Sequence, residues 1–528
     1  MSYIARVPVG KYVYLYERDS YRDKTDGKVK TRSAKPVGKL DPATGQPIYK
    51  PEYLERMKKA GTSVSAHPVD ENAPMFSIND IKNSTVQGFG LTLLLRENAE
   101  KSGLMASLRA ALPRHCDEIF TLASHLVAEG EPFLHCQDWL ETVEVAENVG
   151  AMSSSQISRV LWEVSVGERE EFYHQWASKR SEQEYLALDI TSTSSYSELI
   201  EDVEWGYNRD GEDLAQVNLC FLMGEMSRLP IYQTSYYGSI KDVSTLENTL
   251  SKFDKIVDEK PVLAVMDKGF FSTKNITTML ERGTKFVISM PFTTKLAREM
   301  VDKNCDEIDR YKNSVIIGND SLRGVTSLEK WGKYRVWAHV FYNPVAAAAS
   351  REKTIQRVRQ MYELAVADPQ KYIGDKDFGK WLSIEKCGDH YAVNVREELV
   401  DDVKRYGGWM VILSNHTENC TDAIRIYRAK DIVEKGFMRL KNSLDLGRLR
   451  VHGGQAMQTK IFIGFVALIM LSEIHNVMLE HNFYRKWTMK QFLRVIGKRR
   501  VQKIGDIRVE SPLTKEQREI CSAFGLLL

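Results

Sequence analysis

The sequence predicts an α/β fold, a mixed sheet flanked by helices, interrupted by a β-rich insertion and bracketed by basic end regions. Three observations predict it. Short apolar strands alternate with amphipathic helices between Glu184 and Met290, and two of those strands end in an aspartate. A long amphipathic helix, Thr421 to Gly447, follows after a gap too long for a loop. Charge is unevenly placed along a chain whose net is only +2.

The chain has 528 residues, 43% of them hydrophobic, which is enough for more than one domain with real cores. Its seven cysteines form no CxxC pair, which favours a reducing compartment and argues against a disulfide scaffold or zinc ribbon. His416 and Cys420 have metal-like spacing but no second pair. The start, MSYIARVPVGKYVYLY, lacks the apolar stretch of a signal peptide. Ile461 to Leu471 is the longest apolar run and reads as a buried helix, too short to span a bilayer.

Residues 1–60 carry 14 Lys/Arg against 7 Asp/Glu, and residues 441–528 carry 15 against 7, which leaves the centre at −13. Basic ends around an acidic centre suit a protein that grips a polyanion and holds cations in its middle.

In chain order, residues 1–50 alternate as strands do, with Asp26-Gly27 and Asp41-Pro42 as turns. Interleaved lysines and arginines make this a basic β-meander, either lying on a DNA backbone or simply solvated. From Ser77 the spacing turns helical, broken by Pro113 and Gly130. Ser153 to Ser165 reads either as the second half of a helix-turn-helix or as an ordinary bundle helix.

Glu184 to Thr191 is an apolar strand that delivers Asp189, followed by strands at Gln216–Met223 and Leu229–Tyr236. Val243 to Val257 is an amphipathic helix, and Pro261 to Asp267 is a strand apolar enough for burial on both faces. A helix (Thr273 to Arg282) and a strand (Lys285 to Met290) come next. The 166 residues between Asp267 and Glu434 demand a folded insertion, with candidate strands at Tyr334–Phe341, Tyr391–Val395 and Gly408–Ser414 and a helix at Ser350–Val366.

Thr421 to Gly447 reads as one helix, with Thr421 as N-cap and Gly447 as stop. Ile426, Val433, Phe437, Leu440 and Leu444 form its apolar stripe, and Tyr427, Lys430, Glu434 and Lys441 a neighbouring row. A carboxylate flanked by lysines and a phenol suits a site for metal and phosphate; a solvated charged face is the alternative. After it, Lys460 to Leu479 closes the core. The tail from Asn482 to Arg508 has nine Lys/Arg against one acid and interleaves Trp487 and Phe492, as a phosphate-tracking arm or a partner-docking helix does.

The spacing Tyr427-x2-Lys430-x3-Glu434-x6-Lys441 resembles the Tyr-Arg-Glu-Lys (YREK) signature of DDE insertion-sequence transposases of the IS-four superfamily. Lys430 replaces the usual Arg, keeping the charge but losing the planar fork. ALDITSTS, GYNRDGEDLAQV, LPIYQTSYYGSIKDVSTL, MDKGFFS and GWMVILSN resemble further blocks of that group, in particular its sixteen-thirty-four-like subgroup, over about residues 185–475. The order of strands and helices also resembles a ribonuclease-H-like catalytic core, in which Asp189 and Asp267 lie on neighbouring strands.

That resemblance implies a DDE set of Asp189, Asp267 and Glu434, catalytic and metal-binding, with two Mg²⁺ ions (Mn²⁺ able to substitute). It implies DNA-phosphate binding by Tyr427, Lys430 and Lys441; the charge pattern adds Lys498, Arg499 and Arg500. The expected activity is cut-and-paste transposition: hydrolysis at element ends and 3′-hydroxyl transfer into target DNA, with a hairpin intermediate as one route. Expected partners are double-stranded DNA, as terminal inverted repeats and target, and a second subunit in a homodimeric synaptic complex; no membrane is expected. The expected location is the bacterial cytoplasm, at the nucleoid. In relatives an inserted aromatic can trap a displaced base, and Trp331, Trp337, Trp381 and Trp409 are candidates. A ribonuclease-H-like repair or resolving nuclease would share the carboxylates without needing the basic arms. A domesticated DNA-binding protein would share the arms but should have lost an acid.

The expected layout is a basic β segment over 1–60 and a helical DNA-binding region over 75–180. The first part of the core covers 181–290, the β-containing insertion 291–411, and the second part with the Glu434 helix 412–480. A basic region for DNA contact or dimerisation covers 481–528.

Overall fold

The computed structural model describes residues 2–526 except 11, 23–28, 43–45, 60–77, 146–148, 181–184, 258–262, 319 and 389. The chain divides into two compact units, Met1–Asn83 and Ser84–Leu528. The first is a sequential antiparallel meander of Ser2–Val9, Tyr12–Arg22, Val29–Leu40 and Pro47–Tyr49. Tyr53, on the helix Pro51–Lys59, packs with Leu15 and Val37 to give it a small core. The Asp26-Gly27 turn lies outside the described residues.

The second unit is mixed α/β around a nine-stranded sheet. Its strands are β1 (Leu186–Ser194), β2 (Gln216–Gly224), β3 (Pro230–Tyr237), β4 (Leu263–Met266), β5 (Lys285–Met290), β6 (Ser314–Ile317), β7 (Asp320–Trp331), β8 (Tyr334–Tyr342) and β9 (Trp409–Ser414). They lie in the order β6-β7-β8-β9-β5-β4-β1-β2-β3. Only β1–β4 and β4–β5 pair in parallel. A two-residue side-chain period sends alternate residues to opposite faces. Cys220 of β2 meets Thr249 of α1 (Asp242–Ile256), while its neighbour Phe221 meets Phe437 on the other face.

Two expectations change here. The stretch 291–411 is not a separate β-rich unit, because β6, β7 and β8 extend the central sheet through antiparallel pairing of β8 with β9. Val336, Ala338 and Val340 of β8 point into the main core while Phe341 joins a second cluster, so the strand is buried on both faces. What leaves the sheet is the shorter, mainly helical span 344–406. It contains α2 (Pro344–Ala367), a hairpin of Leu382–Cys387 with His390–Val395, and α3 (Glu397–Tyr406). Val358, Met361, Trp381 and Val400 give it its own core.

The expected single helix over Thr421 to Gly447 is two helices, α4 (Cys420–Ala429) and α5 (Asp431–Ser443), joined at Lys430. Lys430 donates its N–H to the Tyr427 carbonyl at 3.2 Å, and its own carbonyl accepts from Val433 N–H at 2.9 Å. These three-residue bonds tighten the turn and redirect the chain. The N-cap is Asn419, whose side chain accepts from the Thr421 N–H. The apolar stripe is therefore split. Ile426 packs with Val265, Val287 and Ile412, whereas Val433, Phe437, Leu440 and Leu444 enter the main core.

Helix α6 (Gly454–Glu480) is long and apolar enough to cross a bilayer, but 83% of its apolar window is buried inside the protein. The helices between Gly90 and Ser178 wrap around it, with the Phe172 ring 5.1 Å from Phe462. It is a core helix.

Candidate active site

Leu188 of β1 stands opposite Met266 of β4, the last paired position of that parallel ladder. Asp189 and Asp267 are the next residues on the two strands, where the ladder opens. Asp189 does not end its strand, as the sequence suggests; β1 continues to Ser194 on antiparallel bonds to β2. Asp189 stands opposite Phe221 in that pairing, and Phe221 meets Phe437 of α5 at 5.6 Å. The carboxylate therefore lies on the face that α5 covers. Burial pushes the Asp189 carboxyl up to about 6, opposed by its bond to the Ile190 N–H and by the nearby Lys430.

Helix α4 supplies Tyr427, whose hydroxyl donates to Asp267 Oδ1 at 2.8 Å. Burial pushes that phenol above its ordinary value, and the adjacent Asp267 carboxylate pushes it further. Lys430, at the joint, donates to Glu434 Oε1 at 2.7 Å, with its own side chain 11% exposed and that of Glu434 54%. Burial alone would lower the Lys430 ammonium, but Glu434 and the Asp267 and Asp189 carboxylates hold it above the usual lysine range. One half-buried ammonium thus bonds Glu434 and lies in the field of both aspartates.

The acids fit a hard divalent cation: their donors are all carboxylate oxygens, and the closely placed aspartates need a positive charge between them. In the observed arrangement Glu434 does not close on the pair. Among the described residues no three His, Cys, Asp or Glu side chains are grouped to hold one ion.

Lys441 is also engaged: its Nζ donates to Asp210 Oδ2 at 2.6 Å. Asp210 belongs to the loop between β1 and β2, which the sequence marks only as a block of resemblance. Arg209 of that loop pairs with Asp242 and contributes to the field at Asp189. Glu212 accepts from Arg448 and from Ser194 Oγ, and those bonds pull its carboxyl down to about 2. The signal for these residues was present as a run of acids and a base, GYNRDGED, but their partners lie up to 236 positions away.

The terminal basic residues separate. Lys498 and Arg500 are exposed. Arg499 is not a free cation: its guanidinium lies 4.5 Å from the Phe89 ring centre and bonds Glu510 at 2.7 Å, leaving the side chain 11% exposed. Trp487 and Phe492 pack into the core around Phe483. The strand Arg500–Ile504 lies between Thr85–Gly88 and Ile507–Glu510, so the tail is tied to the start of the unit.

A cavity of about 950 Å³ opens beside Asp267 and Tyr427, walled by Arg298, Trp381, Tyr406 and Trp409. Of the four candidate tryptophans, Trp381 and Trp409 reach it; Trp331 instead donates to Thr277 Oγ1 at 3.2 Å.

A family model described as a transposase DDE domain matches residues 180–470. Comparison with curated proteins gives no match. Among solved structures, a piggyBac transposase synaptic complex with hairpin DNA, determined by cryo-EM, is similar with TM-score 0.38 and 10% identity, covering 72% of this chain and 70% of that one. That likeness is too distant to bear on the site. The family match spans more than half of the chain and includes Asp189, Asp267, Tyr427, Glu434 and Lys441: the protein belongs to the DDE transposase family.

Proposed function

We propose that this transposase works by cut-and-paste, hydrolysing the ends of an insertion sequence and transferring the 3′-hydroxyl into target DNA. The observation that carries this reading is the pair Asp189 and Asp267, side by side where two parallel strands part, with Glu434 one ion pair away. We assign the core to the ribonuclease-H-like class on the same basis, and the chain to the YREK group on the spacing of Tyr427, Lys430, Glu434 and Lys441.

Asp189, Asp267 and Glu434 would hold two Mg²⁺ ions, or Mn²⁺ in their place. When bound, such ions activate a water or 3′-hydroxyl and stabilise the leaving oxygen. Tyr427 fixes the rotamer of Asp267 through its 2.8 Å bond and keeps its own proton, since burial raises its pKa. Lys430 and Lys441 place positive charge at the flanking phosphates. Exposed Lys498 and Arg500 extend that field along the duplex. The walls of the cavity beside Asp267, with Trp381 and Trp409, suit a displaced base, as a hairpin route would require. The natural substrate would be terminal inverted repeats, held by two subunits in a synaptic complex.

The test is cleavage of a labelled duplex carrying the repeat that flanks the gene, with and without Mg²⁺. Asp189→Asn, Asp267→Asn and Glu434→Gln should each abolish cleavage and leave DNA binding largely intact. Undiminished cleavage by any of the three would remove that acid from the assignment.

A further inference from the structure

Three features of the Lys430 joint point the same way. The Lys430 ammonium bonds Glu434 at 2.7 Å and is nearly enclosed. It also lies within the electrostatic reach of both aspartates. The three acids that should share a cation are not grouped to do so. Lys430 is both the C-cap of α4 and the N-cap of α5, so its side chain and the direction of the Glu434 helix are set by the same turn.

We propose that Lys430 is an internal counter-cation that latches Glu434 away from the aspartates, and that a DNA phosphate releases it, so that metal loading is coupled to DNA binding. This rests on the reading of Asp189, Asp267 and Glu434 as cation ligands. An ammonium is a compact charge with three donors on a flexible stem, and it can exchange one anionic partner for another. A cation binding at these acids must overcome repulsion from that ammonium and compete with it for Glu434. A phosphate arriving beside Tyr427 offers the ammonium an alternative anion, which frees Glu434 to turn toward Asp189 and Asp267. Lys430 is here a positioning residue that acts through Glu434.

The experiment measures Mn²⁺ binding to the full chain by electron paramagnetic resonance, with a DNA-only control, in the absence and presence of the terminal-repeat duplex. In the absence of DNA, Lys430→Met should bind Mn²⁺ about tenfold more tightly than the native chain, since a like charge has been removed. Lys430→Arg, which keeps the charge, should stay near the native value. The duplex should tighten Mn²⁺ binding to the native chain by a similar factor and change Lys430→Met far less. Equal Mn²⁺ affinity for the native chain and Lys430→Met overturns the latch. If Lys430→Met does not fold, the native chain decides alone, because an affinity that the duplex leaves unchanged also overturns it. Asp189→Asn and Glu434→Gln separate this idea from the assignment beneath it. If both lose Mn²⁺ affinity while Lys430→Met gains none, the latch alone fails. If neither loses affinity, the acids are not ligands and both readings fail.

Discussion

Tyr427 and Asp267 are 160 positions apart, yet the phenol of one donates to the carboxylate of the other at 2.8 Å. The bond ties helix α4 to the end of strand β4 and holds Asp267, one of the proposed metal-binding acids, in place. Tyr427→Phe keeps the ring and its packing, so stability should fall by only about 1 kcal/mol. Single-turnover cleavage should fall about tenfold, the scale of one lost positioning hydrogen bond. A weakened DNA affinity with an intact cleavage step would make Tyr427 a DNA contact instead.

Asp189 gives the metal-free chain a pH signature. Its carboxyl is raised from 3.8 to about 6 by burial, so the folded chain holds a proton that the unfolded chain releases earlier. The stability this supplies is complete below the unfolded value and is lost as pH rises through about 6. Asp189→Asn stays neutral throughout. At pH 8 it should be the more stable protein by up to about 3 kcal/mol, and near pH 4 the two should melt together. Thermal midpoints at the two pH values check this; a constant difference would contradict it.

The Lys441–Asp210 pair separates bracing from DNA contact. At 2.6 Å, with the side chains 13% and 37% exposed, a double-mutant cycle should give a coupling of about 1 kcal/mol. Asp210→Ala frees the lysine and should leave binding of the terminal duplex intact or tighter, whereas Lys441→Ala should weaken it. Equal weakening by both would make Lys441 a brace only.

Within Lys498-Arg499-Arg500 the middle residue should behave unlike its neighbours. Arg499→Ala removes one of the two guanidinium groups, with that of Arg508, that lie on the Phe89 ring and pair with Glu510, which should cost about 1 kcal/mol of stability. Lys498→Gln with Arg500→Gln should leave the melting midpoint unchanged and flatten the salt dependence of DNA binding by a slope of roughly 1–2. An unaltered salt slope would remove these residues from the interface.

By itself the sequence determined the elements whose pattern is local. From Leu186 to Met290 the strands and helices match their apolar runs within a few residues, because a two- or 3.6-residue period is written in neighbours. The two strand-borne aspartates and the row Tyr427, Lys430, Glu434 and Lys441 were legible for the same reason. Tertiary structure alone decided what each of those side chains meets. The turn at Lys430 breaks a continuous helical pattern because α4 and α5 must pack into different apolar clusters. Strands β6 to β8 join the central sheet because β8 finds an open edge on β9, a strand that follows some 67 residues later in the chain. Lys441 meets Asp210 across 231 positions, and Arg499 covers Phe89 across the whole unit. Periodicity carries no information on such pairs, since they form only when the sheet has brought distant segments together.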